Sequence, residues 1–326
     1  MVTSLCLLLL TAAPDVALLS TVPDAEVTEL RFQPAGDAPL SAPVARLTHV
    51  PFETVLGAVV PGTRKVVASA VTEPRKDLSF ASSLFLLEAN KPTRVLCDRL
   101  VLSSRPLVAA EGRVFVQRGR AGDSSAADGR LDALSIDEVD LRTGRTREVL
   151  AFTGYLTHLA GSIGREVLVY RIGPQGADLV AVHADALGVR VLIPSLPPLA
   201  RDFALSADNK SLLYTQGDAA TGQWFVERLD LPSLTRTRLA EGPTMALLPT
   251  PLPDGRVAFA AAQGAGLKDL DGKTVLEAQG PGFERVRAFT KKRAAIGLHE
   301  VPGDFARPLG FTAPAHQRLD VAGVLE

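Results

Sequence analysis

Cysteine is nearly absent. The 326-residue chain carries two, Cys6 and Cys97, which excludes a disulfide framework and a cysteine-built zinc cluster. One Trp and three Tyr weigh against a surface that stacks sugar rings. Neither sign of charge dominates: 35 basic residues face 36 acidic ones, for a net charge of −1. That balance excludes the basic excess of a nucleic-acid binder and the charge excess of a disordered chain. Lys291-Lys292-Arg293 is the only run of three basic residues, and it falls where a solvated hairpin turn is expected. No apolar run reaches the roughly 20 residues of a membrane-spanning helix. No stretch keeps a 3.6-residue apolar period over a dozen residues, so helix is expected to be scarce.

What is present is apolar and turn-rich: 46% hydrophobic residues, 27 Gly and 23 Pro. That is enough to bury a large core. The length fits two average domains, but all-β folds of this size commonly form one, and a single domain over residues 15–326 is expected. The first thirty residues contain no Lys or Arg. Within them Leu5–Ala13 is an apolar run with the length of a signal-peptide core and small residues Ala12 and Ala13 at its end. Residues 1–14 therefore read as a signal peptide that lacks a basic leader, which implies a periplasmic or secreted protein. The other reading is a buried first strand, for which Asp15–Val22 is also suited. Cys97 lies in the apolar strand pattern TRVLC and is expected to be unreactive core.

One turn-plus-strand pattern recurs along the chain: PGTRKVVASA at Pro61, AEGRVFVQ at Ala110, SIGREVLVY at Ser162, ADNKSLLY at Ala207, PDGRVAFA at Pro253 and TKKRAAIGL at Thr290. Each has turn formers, a base, then a short apolar run. The bases Lys65, Arg113, Arg165, Lys210, Arg256 and Arg293 stand 37 to 52 residues apart. Gly, Asn and Asp supply the backbone conformations of a tight turn, and the apolar run suits a strand buried on both faces. A further strand-like run precedes most of these turns, as in TVLGAVV, RPLVAA, THLAG and DFALS. A more amphipathic hairpin follows, as in LSIDEVDLRTGRTREVL. Four short strands per unit, with a period in the forties, describe a propeller blade. The Gly/Ser-rich stretch Gly119–Arg130 reads as a long loop inside one unit.

These residues resemble the WD-repeat-like propeller repeats of the TolB type. In Arg201–Gly242, Ser206-Ala207-Asp208-Asn209-Lys210 stands where that family has Ser-Pro-Asp-Gly-Lys, with Ala for Pro and Asn for Gly. Pro253-Asp254-Gly255-Arg256 matches more closely, and Asp140-Leu141-Arg142-Thr143-Gly144 matches the second turn of the repeat. The resemblance covers about residues 55–300, with two or three units matching well. It implies an all-β, single closed propeller of four-stranded blades, seven favoured over six. N-terminal strands (Glu26–Val50) would complete a blade begun at the C-terminus. The family includes interaction scaffolds, periplasmic components and the propeller domains of prolyl-oligopeptidase-like enzymes, so it implies a fold rather than an activity.

The motifs of catalysis are missing. Gly161-Ser162-Ile163-Gly164 does not have the spacing of a nucleophile elbow, and there is no room for an α/β-hydrolase domain. Gly264-Ala265-Gly266 lacks the third Gly of a dinucleotide loop. Asp269-Leu270-Asp271-Gly272 looks like the start of a calcium loop, but position 280, where its closing Glu belongs, is Gly. Asp123 and Asp128 read as loop residues. The histidines His49, His158, His183, His299 and His316 are far apart in sequence. Of these, His158 lies in a first-strand pattern and is the one expected near a central channel; His183 and His299 read as structural. Trp224-Phe225 is expected to pack against a neighbouring blade. No catalytic, cofactor-binding or metal-ligating residue is assigned. The reading is a non-catalytic extracytoplasmic propeller that binds a protein through rim loops or a channel mouth. The alternative is a hydrolase or lyase with a metal or acid–base site at that mouth, around His158 and carboxylates of other first strands. A ring with no ligand of its own is the third.

Overall fold

The computed structural model describes residues 15–22, 26–34, 40–50, 55–72, 82–101, 104–119, 134–152, 156–186, 188–206, 208–218, 220–221, 224–240, 245–251, 257–262, 297–299 and 318–325. Within these the chain is strand and turn, with no helix. The Leu5–Ala13 run, the loop after Gly119, the Pro253–Arg256 turn, Asp269–Gly272, Lys291–Arg293 and His316 lie outside the described residues.

Strands follow one another in groups. The first is β1 (Asp15–Val22), β2 (Val27–Pro34) and β3 (Ala45–Thr48). The second is β4 (Leu56–Val60), β5 (Lys65–Ala70), β6 (Ser82–Glu88) and β7 (Arg94–Leu100). The third is β8 (Leu107–Val108), β9 (Val114–Gly119), β10 (Leu134–Val139) and β11 (Thr146–Phe152). The fourth is β12 (Leu156–Ile163), β13 (Glu166–Gly173), β14 (Gly176–His183) and β15 (Val189–Leu196). The fifth is β16 (Ala200–Leu205), β17 (Ser211–Gly217), β18 (Trp224–Asp230) and β19 (Arg236–Ala240). A sixth opens with β20 (Met245–Pro251), β21 (Val257–Ala262) and β22 (Gly297–His299). Gly297–His299, in the run after Arg293, pairs antiparallel with β21; the preceding turn and run of that repeat lie outside the described residues. The last strand, β23 (Arg318–Val324), pairs antiparallel with β1 and makes the first group a four-stranded sheet, β23-β1-β2-β3. Edge contact between groups is slight. Leu100↔Arg118 is the one ladder pair between the second and third groups, and Trp224↔Met245 the one between the fifth and sixth.

The groups hold together face to face. The middle strands KVVASA (β5) and SSLFLLE (β6) are buried on both faces, whereas β15 is largely exposed. A sheet apolar on both sides needs a neighbour on each. Leu19 and Leu30 of the first group pack on Val66, Phe85 and Leu87 of the second. Val67 and Leu84 of the second meet Val114 and Val116 of the third. Phe115 and Ile136 of the third meet Val169 and Val180 of the fourth, and Tyr170 and Leu179 of the fourth meet Leu212 and Tyr214 of the fifth. Each fully buried Leu, Ile or Val contributes about 1.5–3 kcal/mol. The opening strands β4, β8, β12, β16 and β20 touch in succession and form the common interior. Their approach is close: a Cβ on Gly161 of β12 would lie 3.1 Å from the Leu205 Cβ of β16.

Turn chemistry explains the repeat. Asp140 Oδ1 accepts the backbone N–H of Arg142 (2.7 Å) and Thr143 (3.0 Å), and Asp230 Oδ1 accepts that of Ser233 (2.9 Å). These bonds hold both carboxyls below the usual carboxylate range, the Thr143 amide first for Asp140 and the Ser233 hydroxyl first for Asp230. In the fourth group His183 takes the same place, its Nδ1 accepting from Asp185 and Ala186 (3.2 and 3.0 Å). Four residues after each Asp the backbone turns left-handed, at Gly144 (φ 75°) and at Leu234 (φ 58°). The recurrent base has a partner at the far end of the third strand: Lys65 with Glu88 (3.3 Å), and Arg113 with Glu138 (2.7 Å). Asp185 joins Arg113, Arg147 and Arg165 across the third and fourth groups.

Two substitutions test these turns in opposite directions. A Cβ at Gly144 would sit 2.5 Å from the Leu96 carbonyl oxygen of the preceding group. Gly144→Ala therefore combines backbone strain with a clash and should cost about 2 kcal/mol in denaturant unfolding. Leu234 is half exposed in the same conformation, so Leu234→Gly should stabilise by about 0.5–1 kcal/mol.

Candidate functional site

The beginnings of successive opening strands converge on one cavity of about 400 Å³. Leu56 comes from the second group, Ser104 and Arg105 from the segment leading into β8, His158 from β12, and Arg201 and Asp202 from β16. Gln117 of β9 and Trp224 of β18 complete the polar and aromatic lining.

Local irregularities aim these side chains. The β16 ladder shifts register between Arg201 and Ala204, and Asp202 at its centre adopts φ 54°. Such a bulge redirects consecutive side chains, and left-handed strain at a non-Gly residue is commonly kept where a side chain has a task. β12 carries its own shift between Leu159 and Gly161. A polar thread fixes the third-group wall: Ser69 Oγ donates to the Ser104 carbonyl (2.7 Å), Ser104 Oγ to Gln117 Oε1 (3.0 Å), and Gln117 Nε2 to Thr157 Oγ1 (2.8 Å). An aromatic row supports the other wall. His158 stacks on Tyr170 at 6.0 Å, Tyr170 packs on Phe203 at 5.0 Å, and Phe203 on Tyr214 at 5.5 Å. Tyr170 is anchored by its hydroxyl, which donates to the Pro197 carbonyl, and burial raises its pKa to about 12.

Among the described residues, two guanidiniums and one carboxylate line the cavity. Arg105 Nη1 donates to the Gly57 carbonyl (2.9 Å). Burial lowers its pKa, and Asp202 opposes that shift. Arg201 lies over the Trp224 ring at 5.7 Å, and its Nε donates to Asp202 Oδ2 at 3.2 Å. Burial first, then Arg201, pushes His158 down, and Asp202 pulls it up. The ring is therefore neutral at pH 7.

The sequence places His158 at the channel, and the structure lines the cavity with it. His183 caps a turn, and His49 is buried with Nδ1 on the Val50 carbonyl (2.8 Å) and Nε2 on Thr28 (3.0 Å). His299 lies on β22. Cys97 is partly buried, and burial raises its thiol to about 12, which keeps it protonated and unreactive. Trp224 does more than pack, since it faces the cavity. Sequence reasoning missed Arg105 and Asp202. The available signal was positional: both open first-strand runs, RPLVAA and DFALS, and His158 stands second in THLAG. Among the described residues no group of three or more His, Cys, Asp or Glu side chains is placed to hold a metal ion, and no helix is long and apolar enough to cross a membrane.

The lowered His158 pKa has a signed consequence. Above pH 6.5 the folded and unfolded chains both carry a neutral ring there. Below it the unfolded chain takes up a proton that the folded chain resists, so stability falls with pH until the folded ring also protonates. In His158→Asn the decline in melting temperature between pH 7 and pH 5 should be shallower than in the native chain, by up to one proton's share of the slope.

No protein-family model and no curated protein matches the chain. Solved structures do. TolB from Acinetobacter baumannii superposes with a TM-score of 0.59 at 13% identity, over 96% of this chain. The chain spans 65% of the length of that protein. A chain of the nidogen/laminin complex gives 0.55 at 11% identity, over 94% of this chain and 99% of that one. A putative TolB from Agrobacterium tumefaciens gives 0.51 at 11% identity, over 96% and 99%. At these identities the likeness is one of fold, and the fold it shows is the TolB-like β-propeller.

Proposed function

We propose that the protein is a non-catalytic, extracytoplasmic propeller that binds a protein partner at the cavity mouth. The observation that carries this reading is the cavity itself. Four successive strand groups each present a polar or apolar side chain to it from a rigid strand, and loops and clefts on rigid scaffolds carry most recognition. The nidogen/laminin structure supports it by analogy, as a propeller-like chain solved in a complex. The apolar Leu5–Ala13 run and the TolB likeness support a periplasmic or secreted location. We further propose one domain closed as a ring, with β23 and β1–β3 as the closing blade. The described residues hold five four-stranded groups and part of a sixth, and the repeat spacing favours seven blades.

The competing reading is acid–base chemistry at the same mouth, because His158 and Asp202 both line the cavity. Fold does not decide between them. An acid–base pair acts by reaching the substrate's protons from two sides, so a substrate whose turnover is lost in both His158→Asn and Asp202→Asn would favour this second reading.

A photo-crosslinking residue placed at Leu199, on the cavity rim, should capture one defined protein in cells of the source organism. The same residue at Leu234, on an exposed outer turn, should not. Equal capture at both positions, or capture at neither, contradicts the partner reading.

A further inference from the structure

One indole anchors the cavity wall. Trp224 stands opposite Gly217 in the β17–β18 ladder, and a Cβ on Gly217 would lie 3.0 Å from Trp224 Cη2 and 3.1 Å from Cζ3. With no side chain at Gly217 the six-membered ring settles against β17, and the Arg201 guanidinium lies over the indole at 5.7 Å. Leu56, Leu159, Ile172, Pro198 and Leu199 extend the apolar wall. Two accepting groups stand within it. Asp202 Oδ2 accepts from Arg201 Nε at 3.2 Å, and the two oxygens of a carboxylate hold about four acceptor sites. His158, neutral at pH 7, carries one ring N–H and one ring lone pair. The volume of about 400 Å³ lies within the roughly 300–1,000 Å³ of recognition pockets.

We propose that this cavity takes a tyrosine side chain of the protein partner, with the ring on the apolar wall beside Trp224 and the hydroxyl bonded to Asp202 and His158. The inference rests on the partner reading and names the group that the partner inserts. Three features select a phenol. A flat apolar body is what the indole and aliphatic wall remove from water, and aromatic rings pack on one another edge-to-face or offset. The tip of that body has to donate, because a carboxylate and an imidazole lone pair accept; a plain phenyl ring would cover both without a partner. The donor is uncharged, since an ammonium would meet the Arg201 guanidinium and an anion would meet Asp202. A hydroxyl meets these conditions and accepts in return. An indole N–H donates but does not accept, and so answers only half of what an imidazole offers. Tyrosine is also among the residues that most often anchor protein interfaces.

Trp224 is the only tryptophan of the chain, so its fluorescence, excited beyond the absorption of tyrosine, reports on this cavity. The full chain is titrated with an acetylated, amidated glycyl-tyrosyl-glycine, with its phenylalanine and O-methyltyrosine counterparts, and with p-cresol. The expected result is a saturable change with the tyrosine peptide, binding roughly tenfold or more tighter than either counterpart, because a site built for a hydroxyl rejects the analogue that lacks it. Asp202→Gly removes the carboxylate at a left-handed position that glycine adopts freely. This variant should keep its melting temperature to within a few degrees and lose most of the preference for tyrosine over phenylalanine.

Equal binding of the tyrosine and phenylalanine peptides, equal binding of the tyrosine and O-methyl peptides, or no response up to about 10 mM peptide overturns the inference. So does an unchanged preference in folded Asp202→Gly. p-Cresol that binds more than roughly tenfold tighter than the tyrosine peptide also overturns it, because the mouth then admits a free phenol and refuses a chain. The Leu199 crosslink separates this failure from that of the partner reading. A lost tyrosine preference with capture intact removes only the inserted tyrosine. Failed capture removes the partner, and this inference with it, even where the tyrosine peptide binds.

Discussion

The second, third and fourth strand groups are sheets with two apolar faces, each packed on a neighbour, and that one constraint governs the molecule. Water penalises both faces, so each sheet needs a neighbour on each side. The structure meets this need by stacking each group on the next in chain order. Edge pairing contributes little, since adjoining groups meet through one ladder pair each where they meet at all. The first group is the exception that joins the chain's two ends: β1 runs between β2 and β23, so one sheet contains strands from both ends. Stability in such an array resides in the interfaces between units more than in the units themselves.

The site follows from the same geometry. Opening strands lie innermost, and their first residues are set at one level. Side chains there face the same space without being close in sequence. That is how Arg105, His158 and Asp202, from three groups, reach one cavity. The bulge in β16 turns Asp202 inward at the cost of a left-handed backbone, and the aromatic row from His158 to Tyr214 keeps the wall from collapsing.

Much of this was legible in the sequence. The bases Lys65, Arg113, Arg165 and Lys210 mark the turns before β5, β9, β13 and β17 because a turn followed by a doubly buried strand has a local signature. Asp140 and Asp230 mark outer turns because a carboxylate accepting backbone amides is also a local device. His158 could be placed because THLAG reads as a first strand. What could not be read was tertiary. Nothing local says that Arg105 and Asp202 face His158, that Trp224 turns toward the cavity, or that Gly297–His299 pairs with β21. Those outcomes depend on which groups stack and where a ladder slips, and neither leaves a mark within a window of ten residues.

The most direct test of the stacked array joined at its ends is amide hydrogen exchange over Asp15–Val22. Flanked on both sides by β2 and β23, these amides should exchange as slowly as those of the central strands β5 and β13. Exchange as fast as in the exposed edge strand β15 would contradict the pairing of the two chain ends and, with it, the account of how the sheets are kept from water.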